Sequence, residues 1–230
     1  MPLNTDKSQS VTEALMTRIT VRGFLDKDVP QETLQRIFET ARRTPSGGNL
    51  QPWRAHVMTG ETLKNFTEEA AKNTLGGVQE GETFPAYPSP LWEPQRSWRY
   101  KLGEDMYALL DIPRDNKMGR LLWLANNAKF FGAPVGIIIT GHKDLLMPQH
   151  LDVGIYVQTL MLLAREEGLH TAPQGWWRRH PETVNKYLDV PEDEQVLVGM
   201  AMGYGNPDVP VNNLWSDRAE LGELVHFYDS

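Results

Sequence analysis

The chain has 230 residues, no cysteine, 40% hydrophobic and 23% charged residues, and a formal net charge of −7. Without cysteine there are no disulfides, thiolate nucleophiles or Cys-based zinc sites, and the acidic balance argues against nucleic acid, since little basic charge is present to displace counterions. The start MPLNTDKSQSVTEALMTR lacks a signal-type apolar core, and the apolar run around Phe130 to Ile139 is broken by Gly and Pro, so a cytoplasmic protein with no membrane span is expected.

Val11 to Thr17 reads as a short amphipathic helix entering TRITVRGF. A firmer helix runs from Pro30 to Arg43, with Leu34, Ile37, Phe38 and Ala41 at helical spacing and Pro30 in its first turn. The loop TPSGGNLQPW follows, then a strand over Arg54–Thr59 and a polar helix over Glu61–Asn73. Residues 75–97 are rich in Gly, Pro and aromatics, which marks a long loop and not a disordered linker.

Helices are expected over Trp98–Leu110 and Asp115–Phe131. VGIIIT, after Ala133-Pro134, reads as a buried strand. The segment 151–167 is apolar on most faces and ends at Gly168, so it is expected to be a central helix. A strand near Leu169–Ala172, a helix opened by Pro181 and the strand QVLVGMAMG complete the core. The tail from Gly205 carries a small helix near Arg218–Val225. The order implies a single α+β domain over 1–230, with helices covering its sheet.

The usual catalytic motifs are missing: GxSxG, the P-loop, HExxH and GxGxxG after a strand are all absent. The six histidines, at 56, 142, 150, 170, 180 and 226, have no metal-ligand spacing, and no metal is expected. What remains is a series of small polar clusters. Arg18, Thr20 and Arg22 alternate in an extended stretch, so two cations and a hydroxyl share one side. The loop offers Gly47 for close backbone approach and Asn49 and Gln51 as paired donors and acceptors. Asn126 and Lys129 end a helix, Pro173-Gln174-Gly175 precedes two indoles, and Arg218 lies in the tail. Taken singly, each is equally readable as solvated charge, a helix cap or a turn.

Together, and in this order, the clusters resemble the FMN-dependent nitroreductase family over nearly the whole chain. Its opening Arg-x-Ser-x-Arg/Lys is met by Arg18, Thr20 and Arg22, with Thr for Ser. Its Pro-Ser-x-x-Asn-x-Gln-Pro-Trp is met by Pro45, Ser46, Asn49, Gln51, Pro52 and Trp53. Asn126 and Lys129 match an Asn-x-x-Lys, and Arg218 matches a late Arg that meets the flavin phosphate. Ser216 departs from the pattern, replacing a common Lys, so the phosphate rests on fewer cations.

The resemblance implies a nitroreductase-like central sheet flanked by helices in an intertwined homodimer. It also implies an insertion over about 75–131 covering the active site, of the kind found in nitrobenzoate- and dinitroaniline-reducing members, and a C-terminal arm over about 206–230. The implied activity is NAD(P)H-dependent reduction of a small nitroaromatic substrate through tightly bound FMN, by a ping-pong cycle with NADH or NADPH as donor. The flavin would rest on Arg18, Thr20, Arg22, Pro45, Ser46, Gly47, Asn49, Gln51, Asn126, Lys129, Pro173, Gln174, Gly175 and Arg218. Arg22 and Lys129 would stabilise the reduced cofactor. Trp92, Trp98, Trp123, Phe130 and Trp176, with Phe131 and Trp177 beside them, are candidates for either the acceptor pocket or the core. Quinone or enone reduction, reductive dehalogenation and non-catalytic FMN binding are alternatives on the same fold.

Overall fold

The computed structural model describes residues 2–228. Its centre is an antiparallel sheet of β1 (Arg54–Met58), β2 (Val135–His142), β3 (His170–Gln174) and β4 (Glu194–Gly203), in the order β1-β2-β4-β3. β2 and β4 lie in the middle, with Ile137 opposite Met200 and Ile138 opposite Gly199. Side chains alternate along a strand, so Ile138 enters the core on one face while Ile137 and Ile139 enter the core on the other. The sheet is antiparallel throughout, yet helices cover both of its faces. That double cover is why VGIIIT reads as one unbroken apolar run.

Helices α2 (Gln31–Ala41) and α6 (Met147–Glu166) cover one face. Leu34, Ile37 and Ala41 of α2 share that core with Val153, Tyr156, Leu160 and Ala164 of α6, each set a stripe at helical spacing. Helices α3 (Gly60–Leu75) and α7 (Pro181–Tyr187) cover the other face through Leu63, Phe66, Ala70 and Val184. There the Phe66 and Phe130 rings stack on Trp177, with centroids 4.8 and 4.7 Å away. The indole fills the space where a side chain on Gly199 would project, its Cδ1 only 2.0 Å from an ideal Cβ. Glycine at 199 is what lets Trp177 lie against β4.

Helix α1 (Val11–Thr17) is capped by Ser10, whose Oγ accepts the Glu13 N–H. The chain then runs extended beside β3: Thr20 bridges Thr171 in parallel, and the Val21 N–H donates to the Thr171 carbonyl at 3.1 Å. This added edge holds Arg18, Thr20 and Arg22 against the sheet. Pro173 falls within β3, which tolerates it as an edge strand.

Residues 76–94 form no helix or strand but are tied to the core. The Thr83 N–H donates to the Arg178 carbonyl and its hydroxyl to the Val196 carbonyl, while the Glu80 carboxylate accepts the Thr183 N–H at 2.8 Å and the Thr183 hydroxyl. Helices α4 (Gln95–Leu109) and α5 (Lys117–Ala125) follow, neither with a buried residue. They are joined by Arg120, which pairs with Glu104 at 2.8 Å and lies 4.1 Å over the Tyr107 ring.

The helix expected to continue to Phe131 stops at Ala125, and a 3-10 turn spans Asn126–Gly132. In it Phe130, Phe131 and Gly132 take φ of 47°, 55° and 80°. These left-handed residues turn the chain so that Phe130 enters the core. Phe130 is fully buried, as is Trp177, and both rings pack in the core. The small tail helix, α8, is only Leu221–Leu224.

Candidate functional site

Arg18, Thr20, Arg22 and Arg218 line one cavity of about 330 Å³, with Ser216, Trp215 and Leu102 of α4 also in its wall. No carboxylate lines it. Burial lowers the pKa of Arg18, and the nearby Arg218 cation lowers it further. Arg18 Nε is buried with no hydrogen-bond partner. Burial also lowers the pKa of Arg22, an effect partly offset by Tyr107 of α4. Desolvated cations gathered without an anion are costly unless a ligand supplies one. The residues present therefore fit a phosphate.

Three devices bring these groups together. The strand-like run beside β3 aims Arg18, Thr20 and Arg22. The Arg22 N–H donates to Asn212 Oδ1 at 2.8 Å, and the fully buried Asn212 amide bonds the Gly23 and Asn206 carbonyls, which ties the tail to this run. Arg218 Nη1 donates to Ser216 Oγ at 2.6 Å and to the Ser216 and Asp217 carbonyls, each at 2.9 Å. Ser216 thus orients the guanidinium that the absent lysine would have accompanied. Asp217 is paired with Lys101 of α4 at 3.0 Å. Asn212, 190 positions from Arg22, gave no signal in the sequence.

None of the residues 45–51 lines this cavity. They form a tight exposed turn on α6: the Gly47 N–H lies 3.2 Å from both oxygens of the buried Asp152 carboxylate, and the Gln51 N–H donates to Ser46 Oγ at 2.9 Å. Gln51 Nε2 donates to the Asn49 carbonyl and Oδ1. Gly48, Asn49 and Gln51 all have positive φ, at 59°, 56° and 48°. Backbone held in that region by its surroundings is typical of functional loops. Pro45 is exposed, and Trp53 stacks on Tyr156 at 4.7 Å, which anchors the loop's exit.

The third group lies around the end of β3. The Gln174 amide is buried and donates to the Asn127 carbonyl and Oδ1, while the Trp177 indole N–H donates to Gln174 Oε1. Its side chain is therefore committed to the core, and only the backbone of Pro173, Gln174 and Gly175 is open to a ligand role. Asn126 is half-buried, and Lys129 is exposed. Trp92 and Trp98 are exposed, Trp123 lies 6.0 Å from Phe131, and Trp176 stacks on His180 at 3.8 Å. Among the described residues no group of three acidic or histidine side chains could hold a metal ion, and no helix is long and apolar enough to cross a membrane.

A helix-covered antiparallel sheet with a carboxylate-free cationic cavity at its edge defines the architecture, and comparison with known proteins gives it a family. The model of the Nitroreductase family matches residues 15–204, so the chain belongs to the nitroreductase family. It is 34% identical over 226 residues to a chloronitrobenzene nitroreductase of Comamonas testosteroni, covering 96% of this chain and 97% of that protein. It is 33% identical to a 4-nitrobenzoate reductase of Pseudomonas putida, covering 99% and 98%. In structure it is similar to the FMN and NADPH-dependent nitroreductase NfnB from Sphigopyxis sp. strain HMH, with a TM-score of 0.91, 37% identity, and coverage of 96% of this chain and 100% of that one.

Proposed function

We propose that this chain is an FMN-dependent NAD(P)H oxidoreductase that reduces nitroaromatic compounds. The carrying observation is the Arg18–Arg218 cavity, which is lined by the guanidinium groups of Arg18, Arg22 and Arg218, with the Arg18 Nε buried and unpartnered and no carboxylate. A phosphate monoester with about two negative charges near neutral pH suits forked guanidinium donors. Bound FMN would supply the redox chemistry, taking hydride equivalents from NADH or NADPH and passing them to the acceptor. The protein's own part is to bind, orient and polarise. Arg22, half-buried and with its backbone N–H held by Asn212, sets a positive charge in the wall of that cavity, and Lys129 is the second candidate for this role. Thr20, Asn126, the turn from Pro45 to Gln51 and the backbone at 173–175 are assigned to the flavin's polar edge.

Homodimerisation is part of the same reading. Outside its core stripe, α6 leaves Met147, Leu151 and Ile155 uncovered, with Met147 74% exposed and Leu146 exposed just before it, and α5 leaves Met118, Leu121, Leu122 and Leu124 uncovered. The tail adds exposed Leu221, Leu224 and Phe227. So much apolar surface in one chain is what a subunit seam requires. The turn at 45–51, fixed to α6 through Asp152, would serve the partner's flavin. The test is binding of FMN against riboflavin, which lacks the phosphate. FMN is expected to bind far more tightly, and equal affinities would remove the proposed role of the Arg18–Arg218 cavity.

A further inference from the structure

We propose that Arg178 is a positioning residue, whose guanidinium fixes and polarises the Gly175–Trp176 peptide at the end of the 173–175 backbone run. This rests on the flavin contact assigned to that run under the proposed function, and adds a residue that acts on the flavin through the main chain. Arg178 is buried, and among the described residues its side chain makes one hydrogen bond, from Nε to the Gly175 carbonyl at 3.0 Å. The carboxylate beside it, Glu82, lies 4.0 Å from Nη2 and is nearer to Arg179, at 3.4 Å from Nε. Burial lowers the pKa of Arg178, and Glu82 opposes that effect. Desolvating a guanidinium for one neutral acceptor and a shared carboxylate is costly. Packing alone is a poor reason for an arginine here.

The contact is built from two segments. An ideal Cβ on Gly175 would lie 3.0 Å from Arg178 Nη2, so glycine is what lets the guanidinium lie this close to the backbone. The guanidinium also lies 4.4 Å over the Phe84 ring. The Thr83 N–H donates to the Arg178 carbonyl, and the Thr83 hydroxyl donates to the Val196 carbonyl of β4, each at 3.2 Å. Residues 82–84 thus close over the arginine, and the central sheet holds them there. Gly175 itself is exposed.

The 175–176 peptide is trans, so its C=O and N–H point in opposite directions. With the carbonyl turned onto Arg178, the Trp176 N–H points away from the guanidinium, beside the exposed Gly175. A cation at the carbonyl oxygen polarises the amide and makes that N–H a stronger donor. Reduction adds negative charge to a flavin. A donor fixed before that charge develops stabilises the reduced form more than the oxidised one.

The experiment is measurement of the two-electron midpoint potential of bound FMN, by dye-coupled reduction that uses neither nicotinamide nor nitroaromatic. It compares the parent with Arg178→Gln, Arg178→Lys and Glu82→Gln. Arg178→Gln is expected to weaken binding of reduced FMN about tenfold more than that of oxidised FMN, which lowers the potential by about 30 mV. Arg178→Lys keeps the charge and should recover part of that loss. Glu82 lies at the surface, and Glu82→Gln removes the negative charge beside Arg178 without touching Gly175, so it is expected to raise the potential. An arginine that only packs residues 82–84 would not give shifts of opposite sign. A potential unchanged in Arg178→Gln, or lowered by Glu82→Gln as well, would overturn the inference. If Arg178→Gln does not fold, Glu82→Gln decides alone, and a potential at or below the parent's would overturn it. Shifts of the expected signs in a protein whose flavin neither nicotinamide reduces would support this role and refute the proposed reaction. Unmoved potentials in a protein that NADPH does reduce would do the reverse.

Discussion

Arg18 and Arg218, 200 positions apart, bring two guanidinium groups to one cavity that no carboxylate lines. Burial makes the charge on Arg18 costly, and the Arg218 cation adds to that cost. Such an arrangement is stable when an anion completes it.

Arg218→Ala is expected to weaken FMN retention by about 1.5–3 kcal/mol, the scale of a hydrogen bond to a charged group. Ser216→Ala, which only releases the guanidinium from its 2.6 Å contact, should cost less, about 0.5–1.5 kcal/mol. Equilibrium dialysis against FMN and riboflavin checks both. If riboflavin affinity falls as much as FMN affinity, Arg218 does not act on the phosphate.

The shape of the 45–51 turn, to which we assign a flavin contact, depends on Asp152. Its carboxylate takes the Gly47 N–H, and that contact fixes the left-handed run from Gly48. Asp152→Ala should speed hydrogen exchange at Gly47 and loosen FMN binding, whereas Asp152→Asn keeps an acceptor and should restore much of both. Unchanged exchange at Gly47 in Asp152→Ala would show that the turn holds itself.

The stacked core gives a stability prediction. Gly199→Ala forces a methyl into the Trp177 indole and should cost about 1–3 kcal/mol as overpacking. Urea unfolding together with the near-UV circular dichroism of the indole reads this directly. A variant as stable as the parent would mean that Trp177 slides without cost.

A pH effect follows from His170. Burial, with the Arg165 cation beside it, pushes its pKa down to about 3. Unfolded, the imidazole titrates near its ordinary value of about 6.5, so below that pH the unfolded state binds the proton and the folded state does not. The folded state therefore loses stability as pH falls from about 6.5 toward 3, by at most about 1.4 kcal/mol per pH unit. His170→Asn should flatten this dependence in urea midpoints measured from pH 7 to 4. An identical slope in both proteins would contradict the assignment.

Much of this was legible in the sequence where one local pattern determines one element. The stripe Leu34, Ile37, Ala41 marks α2, and the run VGIIIT marks β2. The helix end was misplaced because helical periodicity extended past Ala125 on paper, while the chain turns left-handed at 130–132 to bring Phe130 into the core beside Trp177. No local rule announces that turn at two phenylalanines. The cavity residues were found through their order along the chain, but the groups that position them were not. Asn212 and Asp152 act across 190 and 105 positions, and an isolated Asn or Asp looks like surface until the fold buries it. Nor did the sequence disclose that Gln174 spends its side chain on Asn127 and Trp177.

The most direct measurement is anaerobic stopped-flow mixing of the FMN-loaded protein with NADPH, followed by nitrobenzene or 4-nitrobenzoate. The expected result is bleaching of the visible flavin absorption by NADPH and its return on adding the nitroaromatic, with the nitro compound reduced in step. A protein that stays yellow with both NADPH and NADH, or that bleaches but is not reoxidised by any nitroaromatic acceptor, would contradict the proposed reaction.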